Sequence, residues 1–384
     1  MKSTTAKPSS VSSALLRPHL AGLDFLRAVA VLLVLIDHSG LAFIDKVRIF
    51  DGGLGVEIFF VLSGFLITWL LLGEVATRGR IDLPAFYWRR ATRLMPAMLV
   101  YLLAGALLLL TQGKPLPWEA IAAALLYGMN YYQAFTGAVP HYLSHCWSLA
   151  VEEQFYLLWP LLLIGLQRRG WCLKRSLGVL ILALWVLKVV LVLGLEVGDD
   201  YLYRALETRS ASLLIGCLLA VVLRSGGRWH TLFDALAARR WVPGGIVVSI
   251  LASVALLHSS VVAKNLLGYA IEPLLIALLL PLVLIEAHRG GWMARGINAP
   301  VVVLIGQVSY GIYLYHPFIL HPVRNVALRL TGSMPLAVVL SLLVVVTVAW
   351  ASFRWIEAPL RARLTRPVRS GGAAPGVPKG VRTV

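Results

Sequence analysis

Apolar residues run through this chain in long blocks, without the strict alternation of a half-buried strand. Ten blocks dominated by Leu, Val, Ile, Ala and Phe lie at roughly 22–42, 55–73, 94–111, 147–167, 176–195, 206–223, 242–258, 267–286, 301–320 and 335–353. A membrane helix needs about 20 such residues to cross about 30 Å of hydrocarbon. The pattern therefore predicts an all-α fold, a polytopic membrane helical bundle of about ten transmembrane helices. An eleventh apolar stretch, 118–133, is short and ends in Asn130-Tyr131-Tyr132. It reads as one re-entrant or interfacial helix.

Charge sets the direction in which the blocks are threaded, because cytoplasmic loops are enriched in Lys and Arg. If 118–133 does not cross, 25 of the 35 basic residues fall on one side and 8 on the other, with Arg27 and Lys188 inside spans. Both termini are then expected in the cytoplasm. Residues 1–20 are Ser/Thr-rich and lack a short apolar core followed by a cleavage site, so they read as a disordered N-terminal tail and not as a cleaved signal peptide. Residues 365–384, with Gly371-Gly372, Pro375 and Pro378, read as a disordered C-terminal tail. Between them, 21–364 form one membrane domain.

Composition agrees with this class. The 384 residues are 59% hydrophobic and 14% charged, with a mean hydropathy of +0.81, which excludes a water-soluble domain and predicts an integral, multi-pass protein of the cell (inner) membrane. A net charge of +17 would suit nucleic acid, but the basic residues cluster between apolar blocks, so the expected partner is the lipid bilayer and not nucleic acid. Cys146, Cys172 and Cys217 are odd in number and lie in or beside apolar blocks. They imply no disulfide framework, and no metal site is expected.

The first block carries two residues that hydrocarbon penalises, Arg27 and His38. Eleven helical positions advance about 16 Å and close to three whole turns, so the two share a face at opposite ends of one span. An ionisable residue inside a membrane helix is a functional-site candidate. Arg27 has a second use, since Arg at a helix end can snorkel and Asp24 is its i−3 partner. The threading sorts the other unusual polar residues into two layers. The outer layer holds His38, Glu57, the run Trp147-Ser148-Leu149-Ala150-Val151-Glu152-Glu153, and His316; the inner layer holds Arg27, Arg89-Arg90-Ala91-Thr92-Arg93 and Glu357.

A histidine beside a carboxylate can take a proton from a hydroxyl and return it. The Glu152-Glu153 pair is a candidate to orient it, or one of the two could instead cap the fourth helix. Arg90 and Arg93 share a face at i, i+3, and guanidinium forks suit phosphate oxygens; anionic lipid headgroups are the competing use. For the aromatic residues the competing use is anchoring at headgroup level. Four glycines between Asp51 and Ile67 let backbones approach closely, for a ligand or, more commonly at a position such as Gly64, for helix packing.

Together these residues resemble the integral-membrane acyltransferase family 3, whose members acylate cell-surface polysaccharides, peptidoglycan and some small-molecule sugars. The resemblance runs from Leu23 to about Leu364. Arg27-x10-His38 looks like the family's Arg/His signature in its first helix. Gly55 to Ile67 is similar to its glycine-aspartate-phenylalanine-rich motif, except that Glu57 stands where the family usually has Asp. Arg90-x-x-Arg93 resembles its cytoplasmic arginine motif, and Trp147 to Tyr156 is the most specific match. Ser309-Tyr310 with His316-Pro317, and Glu357-x-Pro359, complete the set.

The resemblance implies an acyl-CoA donor, most often acetyl-CoA, bound from the cytoplasm, and a hydroxyl acceptor on a glycan. It makes Arg27, Arg89, Arg90 and Arg93 the donor-binding residues and His38 the general base, with Glu57, Glu152 and Glu153 orienting His38 or the acceptor. The Ser309 and Tyr310 hydroxyls would donate to the developing oxyanion, and Trp147, Ser148, Tyr313 and His316 would line the acceptor. Family members often carry an appended extracytoplasmic hydrolase-like domain. The 384 residues leave no room for one, so transfer is expected in the membrane domain or with a separate partner protein. Two other classes compete. A transporter exporting a glycan or organic anion through a proton relay should show inverted hydropathy repeats, and none is evident; a structural or lipid-sensing protein would leave the arginines as lipid contacts. A macrolide or other small-molecule sugar is the alternative acceptor.

Overall fold

In a computed structural model, residues 10–17, 19–41, 51–137 and 139–364 are described, and every regular element among them is helical. The principal helices are α1 (Ala21–Asp37), α2 (Gly52–Arg78), α3 (Leu83–Thr111), α4 (Trp118–Leu125), α5 (Met129–Thr136), α6 (Cys146–Arg168), α7 (Leu173–Val189), α8 (Leu206–Ser225), α9 (Arg228–Ala238), α10 (Trp241–Leu257), α11 (Tyr269–Arg289), α12 (Pro300–Gln307), α13 (Ser309–Thr331) and α14 (Met334–Ser352). Within the expected N-terminal tail, Ser10–Leu15 is helical and buries Val11, Ala14 and Leu15. Residues 1–9 and the expected tail 365–384 lie outside the described residues.

Among the described residues, seven helical segments are long and apolar enough to cross a membrane, or nine if each of two bent pairs makes one crossing. The bends are 90° between α9 and α10, and 59° between Gly291–Gln307 and α13. The ten blocks of the sequence exceed this count because α1 has 17 residues, about 25 Å of helix, which is short for a span. The 118–133 stretch is not one helix but two, α4 and α5, of 8 residues each. At about 12 Å apiece, neither can cross. They hinge at Leu126–Gly128, where Tyr127 takes a φ of 52°. α5 then runs beside α6: Gln133 Nε2 donates to the Ser144 carbonyl at 2.6 Å, and Gln154, two turns inside α6, donates to the Tyr127 carbonyl at 2.7 Å.

α2 lies at the centre, packed on α1 and on α8. Its glycines are there for that packing. A Cβ at Gly64 would run into the Leu213 carbonyl, and one at Gly216 into the Val61 carbonyl, so α2 and α8 meet backbone to backbone as small residues allow.

Lipid leaves a buried charge no water to fall back on, and the bundle answers with ion pairs. Glu57 of α2 and Arg209 of α8 are both completely buried, with Nη2 2.5 Å from Oε1. Arg209 lies near the start of the 206–223 block, and in the structure it is core. The guanidinium also lies 4.0 Å from the ring centroid of Tyr269. Nearby, in the turn after α10, His258 sits between two carboxylates, 2.5 Å from Asp51 Oδ2 and 2.9 Å from Glu272 Oε1. Burial disfavours the charged imidazolium, but the two carboxylates outweigh it and hold the His258 pKa up at about 9. A group whose pKa is raised on folding stabilises fully below its unfolded value of about 6.5, and loses that contribution as pH rises through the folded one. The thermal midpoint of the solubilised protein should therefore fall between pH 7 and pH 9.5, and that slope should flatten in His258→Gln; a slope that survives the substitution would assign it to another group.

Candidate active site

The Arg-rich end of the bundle contains a cavity of about 150 Å³. Its walls come from α1, α2, α3, α6 and α13, and it collects residues that are far apart in the chain: Arg27, Ser63, Arg90, Arg93, Ser148, Glu152, Tyr156, Ser309, Tyr310 and Tyr313. The three arginines are held differently. Arg27 donates to Asp24 Oδ1 at 3.2 Å, and the buried Asp24 also pairs with His19 at 2.7 Å. Arg90 is gripped by Glu153, with Nη2 2.5 Å from Oε1, and its guanidinium stacks 3.2 Å from the centroid of the Tyr156 ring. Arg93 makes no ion pair among the described residues, so its charge is available to the cavity.

Glu152 stands in the same cavity and accepts a hydrogen bond from Ser63 Oγ at 3.1 Å. Sequence threading places Glu152 and Glu153 in the outer layer beside His38. The structure puts both with the arginines, because successive turns of α6 carry them inward from Trp147. Ser309 and Tyr310 also line this lower part, and the Tyr310 hydroxyl donates to the Leu94 carbonyl at 3.1 Å. Arg89 points elsewhere, toward Glu74 at 3.6 Å.

The opposite end of the cavity is closed by a pair of hydroxyls. Ser148 Oγ and Tyr313 Oη are 2.6 Å apart, and each is 3.2 Å from the His145 carbonyl. Two hydroxyls have two protons for these three contacts, so one contact always goes without a hydrogen and the pair has more than one arrangement of its protons. Immediately beyond lies a cluster of imidazoles. The His316 ring is 5.2 Å from that of His38, 5.3 Å from that of His145 and 5.7 Å from that of Tyr313. His141 and His321 form another edge-to-face pair at 5.5 Å. Thus five of the chain's nine histidines gather at this end.

Backbone chemistry fixes how two of these rings are held. His38 follows the last residue of α1, and its Nδ1–H donates to the Val34 carbonyl at 2.9 Å, which leaves Nε2 with the lone pair. Pro317 has no N–H to offer the Tyr313 carbonyl four residues back, and His316 Nδ1–H takes its place at 2.6 Å. His316 Nε2 and His145 Nδ1 are buried and, among the described residues, have no hydrogen-bond partner.

Besides Arg89, two predicted site residues lie apart from both groups. Glu57 is committed to Arg209, and Trp147 packs its ring 4.6 Å from Tyr203 and 6.3 Å from Phe60. His145, Ser63 and Tyr156 were not singled out by the sequence as site residues. His145 could have been found, since it sits two residues before Trp147; the other two have no signal beyond lying in the matched motifs. Among the described residues, no group of three or more His, Cys, Asp or Glu side chains is placed to hold a metal ion.

Comparison with known proteins gives the family. The chain is 31% identical over 377 residues to O-acetyltransferase OatA of Staphylococcus aureus (strain NCTC 8325 / PS 47), an alignment that covers 90% of this chain and 58% of the relative. It is also 31% identical over 372 residues to the putative O-acetyltransferase SACOL0978 of Staphylococcus aureus (strain COL), covering 89% and 57%. The chain thus spans less than two thirds of the length of these curated relatives. No solved structure matches it. A family model described as an acyltransferase domain matches residues 20–354, most of the chain, and the protein belongs to acyltransferase family 3.

Proposed function

We propose that this protein is a membrane O-acyltransferase that moves an acyl group, in the first place acetyl, from cytoplasmic acyl-CoA to a hydroxyl of a cell-envelope polysaccharide or other glycan. One observation carries the reading. A cavity lined by arginines ends at the Ser148 and Tyr313 hydroxyls, and His316, in contact with His38, begins just past them. O-acetyl transfer, for which the relatives are named, points the same way.

The residues fit such a donor. Phosphates need cations that are not already neutralised, and Arg93 is one, with Arg27 and Arg90 beside it. The arm of the coenzyme would run along α1, from Arg27 toward His38, over the about 16 Å that eleven helical positions provide. His38 Nε2 then takes the proton of the acceptor hydroxyl as that oxygen attacks the thioester carbon. The new C–O bond forms, the C–S bond breaks, and the thiolate leaves with the proton from His38. We assign the oxyanion to Tyr313 and Ser148, which adjoin the imidazoles, in preference to Ser309 and Tyr310, which sit lower in the cavity. Glu152 is left to position the arm through Ser63 and not to orient His38. The topology that goes with this reading has ten crossings in the inner membrane, α4 and α5 re-entrant, and both termini cytoplasmic.

Three outcomes are expected. Replacing a general base removes about 10²- to 10⁴-fold in rate; His38→Ala should lose that much acceptor-dependent release of coenzyme A thiol while still binding acetyl-CoA, and undiminished release would end the assignment. Arg93→Ala should weaken acetyl-CoA binding in calorimetry by about 10- to 100-fold, the value of one hydrogen bond to a charged group, whereas Arg89→Ala should leave it unchanged. A cysteine introduced at Lys174 should resist an impermeant thiol reagent added to intact cells. Labelling there would overturn the threading.

A further inference from the structure

The chain beyond His38 leaves α1 through a turn that is tied to a distant helix. His38 N–H and Ser39 N–H donate to the Val34 and Ile36 carbonyls at 3.1 and 3.0 Å, which ends α1. Gly40 then takes a φ of 69°, the left-handed conformation in which glycine avoids the penalty of a Cβ. Ser39 is completely buried, so its carbonyl needs a partner, and Arg324 of α13 supplies one: Nη1 donates to Ser39 O at 2.8 Å. The guanidinium lies so close over the turn that a Cβ on Gly40 would collide with it. Its Nε and Nη2 are fixed in turn on Asn325 Oδ1, at 3.3 and 3.1 Å. A cation at the carbonyl end of a helix is also favourable to the helix itself.

His316 stands eight residues before Arg324 on the same helix, about 12 Å along its axis, and touches the His38 ring. α13 therefore grips the end of α1 at two points, one on the imidazole and one on the backbone just past it. We infer that Arg324 is a positioning residue for His38: it fixes the Ser39–Gly40 turn and so holds the imidazole on the Val34 carbonyl with Nε2 facing the reacting groups. Arg324 touches neither the cavity nor the hydroxyl pair at its end. The inference rests on the reading of His38 as general base, and a displacement of about 1 Å at a reacting group can cost about 100-fold in rate.

The test uses the full chain, purified in detergent and expressed in its host, and two readouts. Diethyl pyrocarbonate modification of His38, followed by peptide mass spectrometry, reports how the ring is held without needing any acceptor. O-acetyl content of the host's surface glycans reports transfer. Arg324→Ala should speed His38 modification several-fold and lower transfer roughly 10- to 100-fold, with acetyl-CoA binding intact in calorimetry. Arg324→Lys, which keeps a cationic donor within reach of the Ser39 carbonyl, should recover most of both. Unchanged modification of His38 in Arg324→Ala would overturn the inference, as would loss of acetyl-CoA binding in both variants, which would mean a general structural role. His38→Ala separates the two readings: transfer that persists in it removes His38 as the base, while the modification rates still decide whether Arg324 holds the ring.

Discussion

A charge in hydrocarbon must find its partner inside the protein, and that constraint organises everything else in this bundle. Most of the buried ionic groups obey it visibly. Glu57 has Arg209, Arg90 has Glu153, Arg27 has Asp24, and Asp51, His258 and Glu272 share one another. Once these pairs are set aside, the remainder is short. Among the described residues Arg93 and Glu152 make no ion pair at contact distance, Glu152 accepting from a serine hydroxyl, and His316 and His145 each keep a buried nitrogen without a hydrogen-bond partner. These four lie along the cavity or at its closed end; two other buried groups lie elsewhere, Lys188 of α7 over the Tyr269 ring at 5.2 Å and Glu357 on Ser352 Oγ at 3.1 Å.

The ion pairs also do mechanical work for the site. Arg90 lines the cavity but is clamped by Glu153 and stacked on Tyr156, so it forms wall as much as charge. The Glu57–Arg209 pair lies between α2 and α8, whose backbones already touch at Gly64 and Gly216. A pair of that kind gains little in net stability over apolar packing, but removing one partner is costly. It fixes how α2 sits against α8, and α2 carries Ser63 and one wall of the cavity.

Much of this was legible in the sequence, and the reasons for the failures are instructive. Hydropathy blocks gave the helical class because lipid leaves so few choices, and the composition of 118–133 gave a segment that does not cross. Periodicity placed Arg27 and His38 on one face, and charge bias grouped Arg27 with Arg90 and Arg93, which line one cavity. Glutamates 152 and 153 went to the wrong layer because a layer was assigned from the start of a helix, while each turn of α6 descends about 5.4 Å. Glu57 was drawn toward His38 for want of any sign of Arg209, a partner about 150 positions later that only the three-dimensional packing brings near. Span counting was likewise blind to the 59° and 90° bends, since a bent pair and a straight helix have the same composition.

Pro317 has a consequence that reaches beyond helix geometry. By withholding an N–H from the Tyr313 carbonyl, it leaves that oxygen to the His316 ring, and the ring must then carry its proton on Nδ1. The nitrogen that faces His38 and His145 is thereby obliged to be the basic one. A tautomer set by a neighbouring carboxylate can change when that side chain moves or titrates. Here it is chosen by an atom the backbone lacks, so the tautomer of neutral His316 is written into the covalent structure of the chain.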